Sequence, residues 1–189
     1  MPGSEQHSYL YIALYSREQP GTYDWALANP ASPDIEPSST IVYRVVASTY
    51  PGGWTQRTTK LGSPEVDPLP LCLVQLPTIA APRAELQGFL SEQPAGQGST
   101  PLLSTHIKHG AWTGAQWIVR VLDQLVDADL LDLPSVIRDP SAFYRRVNAL
   151  GLKAEAEVQL DPVDVGQRRP SATFRRVNEM LVIPHDYAD

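Results

Sequence analysis

The chain lacks most of the features that assign a protein to a common class. Only one of its 189 residues is a cysteine, Cys72, so no disulfide can form within the chain. That predicts a reducing compartment, by default the cytoplasm. No run approaches the ~20 apolar residues of a membrane span, and the polar N-terminus lacks the order of a signal peptide. We therefore expect no membrane partner.

Basic residues are also scarce. The chain has 15 Lys and Arg against 21 Asp and Glu, a formal net charge of −6. A surface that binds phosphates needs a concentrated positive field, so nucleic acid is not an expected partner. Glycine-rich phosphate loops are missing as well, and no cofactor is predicted.

Metal ligands and reactive thiols are equally few. His106 and His109 are the only closely spaced histidines, and without an adjacent carboxylate they make an incomplete ligand set. No metal site is predicted, and the plainer interpretation is a locally hydrogen-bonded pair in a loop. Cys72 lies in a short apolar run, where burial raises a thiol pKa and makes it inert.

What the chain contains is enough for one domain spanning residues 1–189, since 42% of it is apolar. Segments rich in β-formers predict five strands, at 9–15, 23–27, 40–47, 54–60 and 71–76. In the first, strict alternation would place the tyrosines on one face and the aliphatic residues on the other: Tyr9, Tyr11 and Tyr15 against Leu10, Ile12 and Leu14.

Helices are predicted in the second half, at 84–93, 113–128 and 141–150, the last ended by Gly151. The alternation at 155–160 resembles an edge strand. Residues 140–148 recur as 170–178, a local duplication that predicts two like helices. The fold class expected is α+β, an antiparallel sheet from the N-terminal half packed against helices of the C-terminal half.

Three short segments, Gly21–Leu27, Tyr43–Val45 and Gly114–Val119, occur in an order that resembles a circularly permuted NlpC/P60-type, papain-like fold over about residues 9–129. They are similar, more narrowly, to a group of small, mostly fungal proteins of that type. In that group G-x-Y-H-W-A-L carries the catalytic histidine, Y-H-V a residue that orients it, and C-x-x-W-V the nucleophile at a helix N-terminus, where the macrodipole favours a thiolate.

Every chemical position of that pattern is changed in this chain. Asp24 stands at the position of the base, Arg44 at that of the orienting residue and Gly114 at that of the nucleophile. The nearest hydroxyl, on Thr113, is predicted to cap the helix. The resemblance therefore implies an NlpC/P60-like scaffold that has lost hydrolysis through a covalent thioester.

The replacements suggest a site of a different kind. We predict that Asp24 and Arg44 form an ion pair that faces the N-terminus of the helix beginning at Gly114. Candidate catalytic residues are Asp24, Arg44, His106 and His109, and candidate ligand-binding residues are Tyr11, Trp25, Tyr43, Gly114 and Trp117.

Two functions from different classes remain open. The first is non-hydrolytic binding of a small molecule, extending to acid–base isomerisation or cyclisation, because the fungal resemblance suggests secondary metabolism. The second is a catalytically dead module that binds another protein through its aromatic and proline-rich surface. An enclosed cavity would favour the first function, and a filled, flat site the second.

Overall fold

The computed structural model describes residues 7–49, 53–63, 69–103, 111–159, 175–177 and 180–184. Within these ranges the chain forms a seven-stranded sheet and four α-helices, which confirms the α+β class. None of the helices described is both long and apolar enough to cross a membrane.

The sheet contains β1 (Tyr11–Ser16), β2 (Tyr23–Asn29), β3 (Ile41–Ala47), β4 (Trp54–Lys60), β5 (Cys72–Gln75), β6 (Arg175–Val177) and β7 (Met180–Ile183). Their order is β4-β3-β2-β1-β5-β7-β6, and every neighbouring pair is antiparallel except β5 and β7. The first five strands confirm the five predicted segments. β6 and β7 were not predicted, because β7 pairs with a strand far earlier in the chain.

The side chains of β1 and of Leu10 before it alternate between the two faces of the sheet, as predicted, and both faces are buried at this strand. Leu10, Ile12 and Leu14 belong to the large core shared with the helices. Tyr11 belongs to a smaller cluster on the other face, which includes Ile35 from the loop between β2 and β3.

The helices are α1 (Arg83–Glu92), α2 (Gly114–Asp127), α3 (Pro134–Arg138) and α4 (Pro140–Gln159). α2 packs on β2 and β3 and confirms the strongest helix prediction, with Trp117, Val121 and Leu125 fully buried. A short 3₁₀ turn at Pro37–Ser39 precedes β3.

α4 corrects two predictions. The helix does not end at Gly151, and the segment after it is helical through Gln159 rather than an edge strand. A Cβ on Gly151 would lie 2.6 Å from the Tyr23 ring, so the glycine allows α4 to approach the sheet closely. Leu160, the last residue of the predicted strand, lies outside the described residues.

The repeated segment also gives a correction. Residues 140–148 are helical as predicted, but the second copy contains the strand β6 at Arg175–Val177 instead of a helix. Arg175 is paired with Val182 of β7, so a tertiary contact decides the conformation of this short segment.

The fully buried amide of Asn29 ties the end of β2 to α1. Its nitrogen donates to the Tyr9 carbonyl oxygen at 2.7 Å, and its oxygen accepts from Gln87 at 3.0 Å and from Arg83 at 3.3 Å. The Arg83 guanidinium also donates to the Ser39 carbonyl oxygen at 2.6 Å. This network closes one end of the β2–β3 pair.

Candidate functional site

Strands β2 and β3 are paired along only part of their length. The pairs are Leu27 with Tyr43, Ala28 with Val42 and Asn29 with Ile41, although both strands continue beyond Leu27 and Tyr43. The N-terminus of α2 meets the strands where they part.

Gly114 is the residue at this junction. A Cβ on it would lie 3.2 Å from the carbonyl oxygen of Trp25 and 3.8 Å from that of Val45. These two residues would face each other if the ladder between β2 and β3 continued in the same register. The absence of a side chain lets the first turn of α2 approach both backbones.

Thr113 caps this helix, as predicted. Its hydroxyl accepts a hydrogen bond from the Gln116 amide at 3.3 Å, and its carbonyl oxygen accepts from the Trp117 amide at 3.0 Å. Among the described residues, nothing accepts a hydrogen bond from the amides of Gly114 and Ala115. These two N–H groups and the positive end of the helix dipole suit a carbonyl oxygen or an anion.

An open cleft of about 440 Å³, which we name the aromatic cleft, lies on one side of this helix end. Its wall is the stacked pair of Trp25 and Tyr144, whose ring centroids are 5.4 Å apart with 15° between the planes. The cleft is lined by Arg17, Gly21, Thr22, Tyr23, Asp24, Trp25, Thr113, Gly114, Ala115, Tyr144, Arg145 and Asn148. It therefore combines a flat aromatic surface, helix amides and two arginines.

A smaller cavity of about 260 Å³, which we name the notch, adjoins the same helix end. Its lining residues are Arg17, Asp24, Trp25, Arg44, Val45, Val46, Ala47, Trp54, Thr113 and Gly114. The three positions that the resemblance assigns to chemical groups, Asp24, Arg44 and Gly114, thus converge on one cavity.

The predicted ion pair between Asp24 and Arg44 is not formed. The Asp24 carboxylate instead pairs with Arg17, whose Nε donates to it at 2.7 Å, and both side chains are 57% exposed. Alternation explains the partner, because Asp24 is paired with Tyr15 of β1 and Arg17 lies two residues further on the same face. Arg44 lies on β3, beyond the point where the ladder opens.

The aromatic residues predicted to bind a ligand are distributed differently from the prediction. Trp25 lines both cavities, whereas Tyr11, Tyr43 and Trp117 are buried in the core and line neither. Burial raises the pKa of Tyr43. The Trp117 indole donates to the Pro94 carbonyl oxygen at 3.1 Å, which gives it a structural role.

His106 and His109 lie outside the described residues. The residues that flank their segment both bond to the side chain of Gln116 in the first turn of α2: Leu103 donates to its oxygen at 3.3 Å, and Ala111 accepts from its nitrogen at 2.6 Å.

Four lining residues of the aromatic cleft were missed in the sequence: Arg17, Tyr144, Arg145 and Asn148. Three of them fall at i, i+1 and i+4 of α4, a spacing that shares one helix face. The sequence does not indicate a role for Arg145, because only the structure shows that α4 passes beside Trp25.

Thiol chemistry is absent from the described part of this site. Cys72 lies on β5, separated from β2 by β1, and is fully buried. Desolvation raises its pKa to about 12, so the thiolate is strongly disfavoured at neutral pH. Neither cavity is lined by a cysteine, and the Thr113 hydroxyl is engaged in the cap.

The chain matches no protein-family model, no curated protein and no solved structure. The resemblance to the NlpC/P60 type therefore stays a prediction from the sequence. Within the described ranges, no group of three or more His, Cys, Asp or Glu side chains is placed to hold a metal ion.

Proposed function

We propose that the chain is a non-hydrolytic small-molecule-binding protein built on a degenerate NlpC/P60-like scaffold. The observation that carries the proposal is the convergence of Asp24, Arg44 and Gly114 around one helix N-terminus, beside an open cleft. These positions are far apart in the sequence, so their meeting supports the correspondence with the family's catalytic positions.

The lining of the aromatic cleft favours a ligand with a planar ring and an anionic or carbonyl group. The ring of Tyr144, stacked on the almost fully buried Trp25, offers an apolar surface to the cleft. The amides of Gly114 and Ala115, together with Arg145, offer donors and positive charge to an oxygen atom. Asp24 adds little repulsion, because Arg17 neutralises it.

The same lining argues for binding rather than acyl transfer. Gly114 supplies no nucleophile at the helix N-terminus, and the single thiol lies two strands away with a raised pKa. For an acid–base isomerisation or cyclisation, His106 and His109, together with Asp24, are the candidate proton-transfer groups. The described residues on either side of their segment, Leu103 and Ala111, both bond to Gln116. A reducing compartment such as the cytoplasm suits this unpaired thiol.

The test uses three aromatic probes of similar size and different charge: benzoate, benzamide and benzylammonium. We expect benzoate to bind most tightly in isothermal titration calorimetry, benzamide more weakly and benzylammonium least, because helix amides and Arg145 favour negative charge. Tyr144→Ala should weaken benzoate and benzamide alike, since it removes the partly exposed aromatic ring of the cleft.

Adjacent arginines on α4 supply the matched control. Arg145→Gln should weaken benzoate by about tenfold, equivalent to about 1.4 kcal/mol, while Arg146→Gln should leave it unchanged because Arg146 does not line the cleft. Equal effects of the two variants, or no benzoate binding at millimolar concentration, would contradict the proposal. If Arg145→Gln and Tyr144→Ala changed stability alone, the interaction-module function would be favoured.

A further inference from the structure

A second cavity, separate from the site above, lies where α2 meets the start of α4, the end of α3 and the segment at 100–103. It is a groove of about 400 Å³, which we name the Asp123 groove, and it shares no lining residue with the aromatic cleft or the notch. A volume of this order suits a small organic ligand.

The walls of the Asp123 groove are apolar and partly open to solvent. Leu102 is 38% exposed and Ile137 is 45% exposed, and both line it together with Leu103, Val119 and Pro140. Large aliphatic side chains left exposed on both sides of a concave surface are typical of a binding groove.

The positive charge in the lining is already engaged. Arg120 donates to the carbonyl oxygens of Pro94 and Gly96, the latter at 2.8 Å, and its guanidinium lies 4.9 Å from the ring centroid of Trp112. Burial lowers the pKa of this arginine. Its guanidinium holds the loop at 94–100 and, although it keeps its charge, forms no ion pair with Asp123.

The negative charge in the lining, that of Asp123, has no ion-pair partner among the described residues. No hydrogen bond or ion pair reaches the Asp123 carboxylate from the described residues. Its partial burial, and then the neighbouring Asp127, raise its pKa. The first turn of α4 is capped by Asp139, which accepts from the Ala142 amide at 2.8 Å, so that helix end offers little free positive charge.

We propose that the Asp123 groove binds a small organic amine, with the ammonium group against the Asp123 carboxylate and the apolar body between Leu102 and Ile137. An ammonium supplies the missing countercharge, and an apolar body covers the exposed aliphatic walls. The proposal is independent of the function proposed for the aromatic cleft, because the two sites have no residue in common.

The test compares three probes with one ring and one short chain: phenethylammonium, 2-phenylethanol and 3-phenylpropanoate. Each is titrated into the full chain at pH 7 and followed by ¹⁵N-edited NMR. Phenethylammonium is expected to bind at least about tenfold more tightly than the alcohol, with the largest shifts at Val119, Asp123 and Ile137. The propanoate is expected to bind least.

Two aspartates on α2 provide the variant and its control. Asp123→Asn, which keeps the shape and removes the charge, should abolish the preference for the amine over the alcohol. Asp127→Asn should retain most of it, because Asp127 does not line the groove. Equal binding of amine and alcohol to the wild type, an unchanged preference in Asp123→Asn, or loss of preference in both variants alike would overturn the proposal. Tyr144→Ala, in the aromatic cleft, should leave amine binding unaffected.

Discussion

The two ends of the β2–β3 pair are built in opposite ways. At the closed end, Asn29 is paired with Ile41, and the Asn29 amide bonds to three partners, Tyr9 just before β1 and two residues of α1. At the open end the ladder stops, and Gly114 lies beside the carbonyl oxygens of Trp25 and Val45. The same two strands therefore complete their hydrogen bonds at one end and expose a cavity at the other.

We therefore expect one end of β2, a strand of seven residues, to contribute to stability and the other end to contribute to binding. Polar groups at the closed end are buried and fully bonded, so removing one leaves others without partners. Polar groups at the open end, such as Asp24 and Arg17, are more than half exposed, so their loss is compensated by water. Substitutions at the two ends should differ accordingly.

The largest effect is expected from Trp117→Ala, because this fully buried ring seats α2 against both strands. The free energy of unfolding should fall by about 3–5 kcal/mol, measured by urea denaturation followed by circular dichroism at 222 nm. Trp117→Phe should lose less, since it keeps most of the bulk and gives up only the hydrogen bond to Pro94. A change below about 1 kcal/mol in the alanine variant would show that α2 is peripheral.

The next effect is at the closed end. Asn29→Ala should cost about 2–3 kcal/mol, because the Tyr9 carbonyl and the Gln87 amide lose a buried partner. Urea denaturation under the same conditions measures it. A cost no larger than that of an exposed substitution would mean that water replaces the network and that the end is not closed.

A pair of glycines tests how closely α4 approaches the open end. Gly151→Ala should destabilise by about 1–2 kcal/mol, because a Cβ would overlap the Tyr23 ring at 2.6 Å and outweigh the gain in helix propensity. Gly88→Ala in α1 is the control: nothing lies within 4 Å of its Cβ position, and we expect a gain of about 0.5–1 kcal/mol. Two variants of equal stability would contradict the close packing of α4 on Tyr23.

The smallest effect is expected at Asp24. Asp24→Asn should change the free energy of unfolding by less than about 1 kcal/mol, and less still at high salt, because its partner Arg17 is equally exposed. Asn29→Ala, on the same strand, should lose more free energy of unfolding, and the difference between the two losses measures the contrast between the closed and open ends. A loss of several kcal/mol would contradict the exposed pair with Arg17 and favour the pair of Asp24 with Arg44 predicted from the sequence.

The strands and α2 could be predicted because their patterns are local and strong. Alternation in β1 gave both faces of the sheet, and the spacing of Trp117, Val121 and Leu125 gave the buried face of α2. α4 was cut short because glycine commonly ends helices. The buried positions of α4 at Phe143, Val147, Leu150 and Ala154 keep a helical period across Gly151, a signal that was available.

The convergence of three of the predicted site residues could be predicted from the sequence, but their contacts could not. The order of the motifs brought Asp24, Arg44 and Gly114 to one cavity, yet no local pattern shows that the β2–β3 ladder opens before Arg44. The partner of Asp24 follows from the register between β1 and β2, which depends on the turn that joins them. Tyr144 and Arg145 line the site because of the way α4 packs, and the hydrophobic periodicity of α4 does not show how it packs.

Amide shifts during a benzoate titration, followed by ¹⁵N-edited NMR, test most directly whether the open end is the binding site. We predict that the backbone signals of Gly114 and Ala115 and the indole signal of Trp25 shift together and reach saturation, while the Asn29 side-chain signal at the closed end does not move. Shifts that never saturate, or that are largest away from the N-terminus of α2, would contradict the assignment of the aromatic cleft as a ligand site.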